Sequence, residues 1–246
     1  ASLGERHAGV FDGIEKDSTY ASVIAAKAAA VAAGADLLIA AGGGSVIVAT
    51  RAVAIFMGEP GDPFALMTQY PEGRPAYSPR LNAPKPPIVN IPTTPTSAMN
   101  RAGTGLLNPD LDHRMEYFDP KTRPQAILLD DEALLGAPPT LVRSTATTVF
   151  ASLVGAMAQT EINPLAEGDR DHAFRLAHRA YPRLAEEIGN PLLRRELCIA
   201  AFLQNRAEDD GQPRFRGGAF AGEYAVSTAL HLLYPHVGQG ESTCVV

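Results

Sequence analysis

The chain has no tryptophan, only two cysteines, few aromatic residues and no surplus of positive charge. Each scarcity excludes something. Cys198 and Cys244, far apart in sequence, build neither a disulfide framework nor a zinc ribbon, which suits a reducing cytoplasm. With 21 Lys and Arg against 27 Asp and Glu, the net charge is −6, and no basic run is interleaved with aromatics. Phosphate backbones are bound by clustered cations, so a nucleic-acid partner is not expected. No run is apolar for long enough to span a bilayer, and no signal-peptide pattern opens the chain, so no membrane partner is expected either. What is present is 246 residues, 46% of them hydrophobic, enough for one large domain or two ordinary ones. The chain opens at Ala1 without Met and stops in the apolar run Thr243-Cys244-Val245-Val246, which reads as the start of another element. The sequence therefore reads as an internal piece of a longer protein.

Ala8-Gly9-Val10-Phe11 is expected to form a short buried strand closed by Asp12-Gly13. Ser18-Thr19 can cap a helix through the Ala-rich segment Ala21 to Ala33, stopping at Gly34. Asp36 to Ala40 is a continuous apolar run of the kind found in parallel strands covered on both faces. Gly42-Gly43-Gly44-Ser45 follows, then a helix from Val46 to about Met57 and a Pro- and Gly-rich loop from Glu59 to Pro87. Ile88 to Ile91 is another buried strand, ending at Pro92-Thr93-Thr94-Pro95, and Tyr117 and Ala126 to Asp130 supply further strand candidates. Beyond Gly136 only helical periods remain: Leu141 to Gln159, Glu167 to Ile188, Pro191 to Arg206 and Gly222 to Leu233, with a break at Gly189-Asn190-Pro191. The pattern predicts an α/β domain with a parallel sheet over 1–136 and an all-α helical domain over 137–246.

The glycine-rich turn carries the chemistry. A strand that runs into glycines and then a helix lets backbone approach a phosphate, and the helix start offers unpaired N–H groups and a positive dipole end. Ser45 can cap that helix and add a hydroxyl donor. The turn matches neither the G-x-G-x-x-G nor the Walker pattern, and a tight strand-to-helix turn without a ligand has the same composition. Thr93 and Thr94 leave a second strand at its carboxyl end, where open α/β sheets bind ligands. A Thr-Pro turn that satisfies its own backbone is the competing reading there.

Taken in order, Gly42-Gly43-Gly44-Ser45-Val46-Ile47, Ile91-Pro92-Thr93-Thr94, Ile127-Leu128-Leu129-Asp130, Asn163-Pro164 and Pro235-His236 resemble the iron-containing alcohol dehydrogenases, including their maleylacetate reductase-like members. The resemblance implies a nucleotide-binding α/β domain followed by a helical domain, a dehydroquinate synthase-like architecture. It also implies hydride transfer between NAD(H) or NADP(H) and a small alcohol or carbonyl compound, carboxylated substrates included. Gly42, Gly43, Gly44 and Ser45 then hold the pyrophosphate, Thr93 and Thr94 line the nicotinamide side, and Ser97 matches a further hydroxyl. Val48 replaces the usual acid after the glycines, and Arg51 stands where Lys is common.

The resemblance places metal ligands at Ala151, Gly155, Ala225 and Gln239, and a neighbouring imidazole at Ala229. Ala and Gly offer no donor, whereas divalent cations need carboxylate or imidazole, so no metal is expected. His231 and His236, with Glu241 near, lack a placed third ligand, and His172 and His178 are six apart and do not share a helix face. Tyr224, His231 and His236 are the candidate proton donors, and Arg214 or Arg216 could anchor an anionic substrate. The favoured reading is a metal-independent reductase, as a cytoplasmic enzyme and a possible homodimer. A family member that has lost catalysis and serves as a binding or assembly protein is the alternative. A lyase of the dehydroquinate synthase type is disfavoured, because it needs the missing ligands.

Overall fold

A computed structural model describes residues 3–210, 220–234 and 236–246, with the side chains of 208 and 220–224 outside the description. The chain divides into two compact units, Ala1–Ile91 with Asn100–Leu128, and Pro92–Met99 with Leu129–Val246.

In the first unit, Ala8 to Phe11 form no strand, contrary to the sequence expectation, and Val10 is 81% exposed. No described strand lies beside this segment to complete its ladder, and an apolar run alone cannot hold an extended chain. Asp17 and Ser18 make a left-handed turn (φ 65° and 55°), and α1 (Tyr20–Ala32) follows. Thr19 caps it, accepting from the Ser22 N–H at 3.3 Å, alanines propagate it, and Gly34 at φ 63° ends it, as the sequence indicates. β1 (Leu38–Gly42) runs into α2 (Gly44–Gly58), which packs on it. The next segment is loop apart from α3 (Pro63–Leu66), and it leads to β2 (Ile88–Pro92).

The strands β3 (Gly103–Leu106) and β4 (Met115–Phe118) form an antiparallel hairpin, and β5 (Ala126–Ile127) completes the unit. The sheet order is β1-β2-β5, with β5 parallel to β2 and Val89 opposite Ala126. The expectation that β1 is covered on both faces fails. Its residues alternate between buried and exposed, and Ile39 is 42% exposed, because α2 covers only one face. The core gathers Ile55, Phe56, Ile88, Leu106, Met115 and Tyr117. Phe56 and Tyr117 meet edge to face at 5.2 Å, and the Tyr117 hydroxyl donates to the Pro63 carbonyl at 3.1 Å.

The long loop is fastened by charge. The Lys85 ammonium is fully buried, 2.8 Å from Glu59 and 3.1 Å from Asp119, and Lys121 approaches Asp119 at 2.9 Å. The Ala83 N–H also donates to Glu59. The hydrogen bond from Lys85 holds the Glu59 carboxyl below its ordinary range. Burial alone would raise Asp119, but the hydrogen bonds from Lys121 and Lys85 outweigh it and the net shift is downward.

The second unit is helical: α4 (Asp131–Leu135), α5 (Pro139–Met157), α6 (Pro164–Ala180), α7 (Pro191–Asp209), α8 (Phe220–Leu233) and α9 (Gln239–Val245). Asp130 is not a strand residue. Its carboxylate accepts from the Ala133 N–H at 2.8 Å and caps α4. Asn163 caps α6 in the same way, and the helix expected to continue to Ile188 stops at Ala180, where Pro182 begins a 3-10 turn. The apolar run Thr243 to Val246 lies at the end of α9, which reaches Val245. Leu153, Leu176, Leu193 and Leu197 interleave with Ala146, Ala173, Ala177 and Ala200, whose small side chains let α5, α6 and α7 approach closely. Arg194 is buried and donates to the carbonyls of Ile188 (2.9 and 2.7 Å), Ala137 (3.4 Å) and Leu134, so one guanidinium fork ties α7 to two chain reversals. Among the described residues no helix is long and apolar enough to cross a membrane.

Two outcomes follow from this packing. The depressed carboxylates stabilise the fold above their unfolded pKa values of about 4, and that stability is lost as pH falls through their lower folded values. Thermal melts should therefore be flat near neutrality and drop in acid. Lys85→Met should lower stability at pH 7 by about 3 kcal/mol and shrink the acid dependence. An unchanged acid limb in Lys85→Met would contradict the assignment. The Cys198 thiol, whose pKa burial pushes up to about 12, should resist iodoacetamide until unfolding, while exposed Cys244 labels at once. Peptide mapping of the alkylated chain separates the two.

Candidate functional site

The first unit places the glycine turn where a strand ends and a helix begins. Gly42 is the last residue of β1, Gly43 is the N-cap of α2 and Gly44 its first residue. A Cβ at Gly42 would lie 2.6 Å from Val46 Cγ2 and 2.8 Å from Val46 Cβ, so only glycine lets the first turn of α2 fold this closely over the strand end. The first backbone bond of the helix runs from the Ile47 N–H to the Gly43 carbonyl at 3.2 Å. The N–H groups of Gly44, Ser45 and Val46 precede it and have no acceptor within the helix. No side chain caps this end, no acidic residue occupies the first turn, and residues 43–46 are partly open to solvent. The helix dipole therefore meets no counter-charge from its own first turn.

Ser45 does not cap α2 as the sequence suggested, because the helix starts at Gly44, two residues earlier than Val46. Its hydroxyl oxygen accepts from the Asp17 N–H at 3.1 Å, and its carbonyl accepts from the Ser18 hydroxyl at 2.7 Å. These two bonds brace the left-handed Asp17-Ser18 turn against the glycine turn, and the Ser45 hydroxyl proton remains available to an acceptor. Arg114 reinforces the brace, donating to the Asp17 carbonyl at 3.3 Å with its other nitrogen 3.6 Å from the carboxylate. The turn-forming pair at Asp17-Ser18 was missed by sequence reading, which took Ser18 only as part of a cap. Arg51 sits in α2 and is buried, and burial followed by the nearby Arg101 charge brings its pKa down to about 9, still protonated near neutrality.

Thr93 and Thr94 follow the carboxyl end of β2 and are assigned with Ser97 to the second unit. Thr93 is half-buried. Thr94 is fully buried, and its hydroxyl has no hydrogen-bond partner among the described residues. Such an orphan costs about 1–3 kcal/mol unless a partner meets it. Ser97 contributes through its backbone, its carbonyl accepting from Asn205 at 2.9 Å, while Thr96 accepts from the Ala98 N–H.

Among the helical-unit candidates, His231 is only 6% exposed, and its Nδ1 donates to the Val237 carbonyl at 2.8 Å, bracing the turn between α8 and α9. His236 is exposed, with its ring edge to face with Tyr234 at 6.1 Å. The side chain of Tyr224, and Arg214, Arg216 and Pro235, lie outside the described residues. Ala151 and Gly155 lie on α5, Ala225 and Ala229 on α8, and Gln239 opens α9. Glu241, the acid nearest the histidines, accepts from Ser144 at 3.2 Å. Among the described residues no group of three or more His, Cys, Asp or Glu is arranged to hold a metal ion. The donor set at these positions does not fit iron.

No curated protein sequence matches the chain. Solved structures do. A 1,3-propanediol oxidoreductase superposes with a TM-score of 0.81 at 20% identity, over 96% of this chain and 58% of that one. Maleylacetate reductase from Rhizobium sp. gives 0.71 at 20% identity, over 99% of this chain and 59% of that one. Sulfoacetaldehyde reductase from Bifidobacterium kashiwanohense, solved in complex with NAD+, gives 0.74 at 21% identity, over 95% and 58%. At these identities the likeness establishes the fold, an α/β unit with a parallel sheet and a helical unit. The chain spans a little under three-fifths of the length of these structures. The family model of the iron-containing alcohol dehydrogenases matches residues 1–131, more than half of the chain, and the protein belongs to that family.

Proposed function

We propose that this chain is the dinucleotide-binding and helical part of an NAD(H)- or NADP(H)-dependent oxidoreductase that acts on a small alcohol or carbonyl compound without a bound metal. The observation that carries the reading is the start of α2, uncapped, free of acid in its first turn and reachable from solvent at Gly43, Gly44 and Ser45. A pyrophosphate would accept from the N–H groups there and from the Ser45 hydroxyl, whose oxygen the Asp17 N–H holds in place. The buried Thr94 hydroxyl would gain its missing partner from a polar group of the cofactor, with Thr93 beside it and Ser97 close downstream. The bound cofactor supplies or accepts the hydride.

A carbonyl receiving hydride also needs a proton and a donor to its oxygen. Tyr224 and His236 are the side chains proposed for that role. His231 is a poorer candidate because its Nδ1 is committed to the Val237 carbonyl. Arg214 and Arg216 are proposed as anchors if the substrate carries a carboxylate. The reductases it resembles in fold, maleylacetate reductase and sulfoacetaldehyde reductase, make a carbonyl substrate the natural first choice. The second reading, a member that binds but no longer catalyses, is favoured by Ala151, Gly155 and Ala225 at positions where the family resemblance expects donors.

Titration of NADH and NADPH, read by cofactor fluorescence with and without a chelator, tests the proposal. Saturable, chelator-insensitive binding is expected, and binding of neither nucleotide would leave the glycine turn as scaffold. Gly42→Ala should weaken binding at least tenfold through its collision with Val46, and adding Val46→Gly, which removes both the Cγ2 and the Cβ it strikes, should restore it. Failure of that rescue would disconnect the turn from the ligand. Thr94→Val should leave the free chain as stable or more so, yet weaken cofactor binding severalfold. A loss of stability with unchanged affinity would assign the hydroxyl to the fold instead.

A further inference from the structure

At the far end of α2, about 21 Å along the helix from the glycine turn, the first unit holds a cleft of about 770 Å³. One wall is a single face of α1, with Tyr20, Ile24, Lys27 and Val31 at helical spacing. The floor and opposite wall come from Phe56, Met57 and the segment from Gly58 to Leu66. The size lies within the range of small-molecule sites, which are mostly apolar with a few placed polar groups.

The opposite wall is fixed. A Cβ at Gly58 would collide with the Pro84 carbonyl oxygen, so the end of α2 is pressed against the returning loop. Glu59 is anchored there by the buried Lys85 and the Ala83 N–H. Pro60 and Pro63 stiffen the segment, and Asp62 closes it by accepting from the Phe64 N–H at 3.0 Å. A cleft with such a wall does not close by side-chain collapse.

Its charges are unequal. The Glu59 carboxylate is matched by Lys85. Asp62 accepts from the Phe64 N–H but keeps its charge, exposed and close enough to raise the Tyr20 pKa behind the larger effect of burial. Lys27, two turns further along α1, makes no hydrogen bond or ion pair among the described residues. The Tyr20 hydroxyl likewise has no partner among them, while its ring packs edge to face on Phe64 at 5.9 Å. The cleft thus presents an unmatched cation at Lys27 over largely apolar walls. We propose that this cleft is a second binding site, separate from the glycine turn, for a small amphipathic carboxylate whose apolar body lies against Ile24, Val31, Phe56 and Leu66 and whose anionic head meets Lys27.

The experiment compares 4-phenylbutyrate, 4-phenylbutanol and 4-phenylbutylamine, three ligands with one apolar body and different heads, by calorimetry and ligand-observed NMR on the 246-residue chain. The carboxylate should bind saturably at one site, the alcohol at least tenfold more weakly and the amine not at all. Lys27→Met, which keeps the apolar stem, should weaken the carboxylate at least tenfold, and Met57→Trp should block it by filling the cleft. Both variants should retain the wild-type NADH affinity, so failure of the dinucleotide reading and failure of this one register separately. Equal binding of the three heads, undiminished binding to Lys27→Met, or displacement of phenylbutyrate by NADH would overturn the proposal.

Discussion

The close approach of Gly42 to Val46 is the constraint on which the ligand end of the α/β unit depends. Because residue 42 has no Cβ, the chain leaves β1 and enters α2 with no intervening loop. The helix start is thereby held over the strand end, its first N–H groups without internal acceptors and its dipole without an acidic neighbour in that turn. Ser45, not engaged in capping, becomes with Arg114 a strut for the left-handed turn at Asp17-Ser18. The local fold and the proposed anion site thus depend on one point. The residues that make the turn tight also leave it open to an anion.

The helical unit follows a different logic. Its stability comes from leucines set among alanines and from Arg194, which satisfies carbonyls at two chain reversals. The positions that the family resemblance would give to metal ligands carry Ala, Gly and Gln, and His231 on α8 braces a turn. Gly240 lies so close to the Ser144 backbone that any side chain there would collide, which binds α9 tightly to α5. This unit is built as a packed helical body, and among its described residues no group of three or more His, Cys, Asp or Glu is arranged to hold a metal ion.

Much of this was legible in the sequence where a local rule decides the outcome. Thr19 before an alanine run, Gly34 after it, Asn163-Pro164 and Asn190-Pro191 announce helix ends because capping is settled within a few residues. The glycine turn was legible because strand, glycines and helix are contiguous. What failed depends on partners distant in sequence. Ala8 to Phe11 has strand composition but no strand beside it, and β1 is covered on one face only. The strand Gly103–Leu106 was hidden by its glycines and exists because Met115–Phe118 pairs with it. The acceptor role of Ser45, the orphan hydroxyl of Thr94 and the buried Lys85 bridge all rest on tertiary contacts that no spacing rule exposes.

The open first turn of α2 is proposed to bind a pyrophosphate. Backbone amide NMR of the 15N-labelled chain titrated with ADP-ribose, which carries the pyrophosphate without the nicotinamide, tests it most directly. The account predicts saturable shifts of the Gly44, Ser45 and Val46 amides, with Asp17 moving alongside because it is bonded to Ser45. Shifts confined to other parts of the chain, or none at saturating ligand, would contradict it.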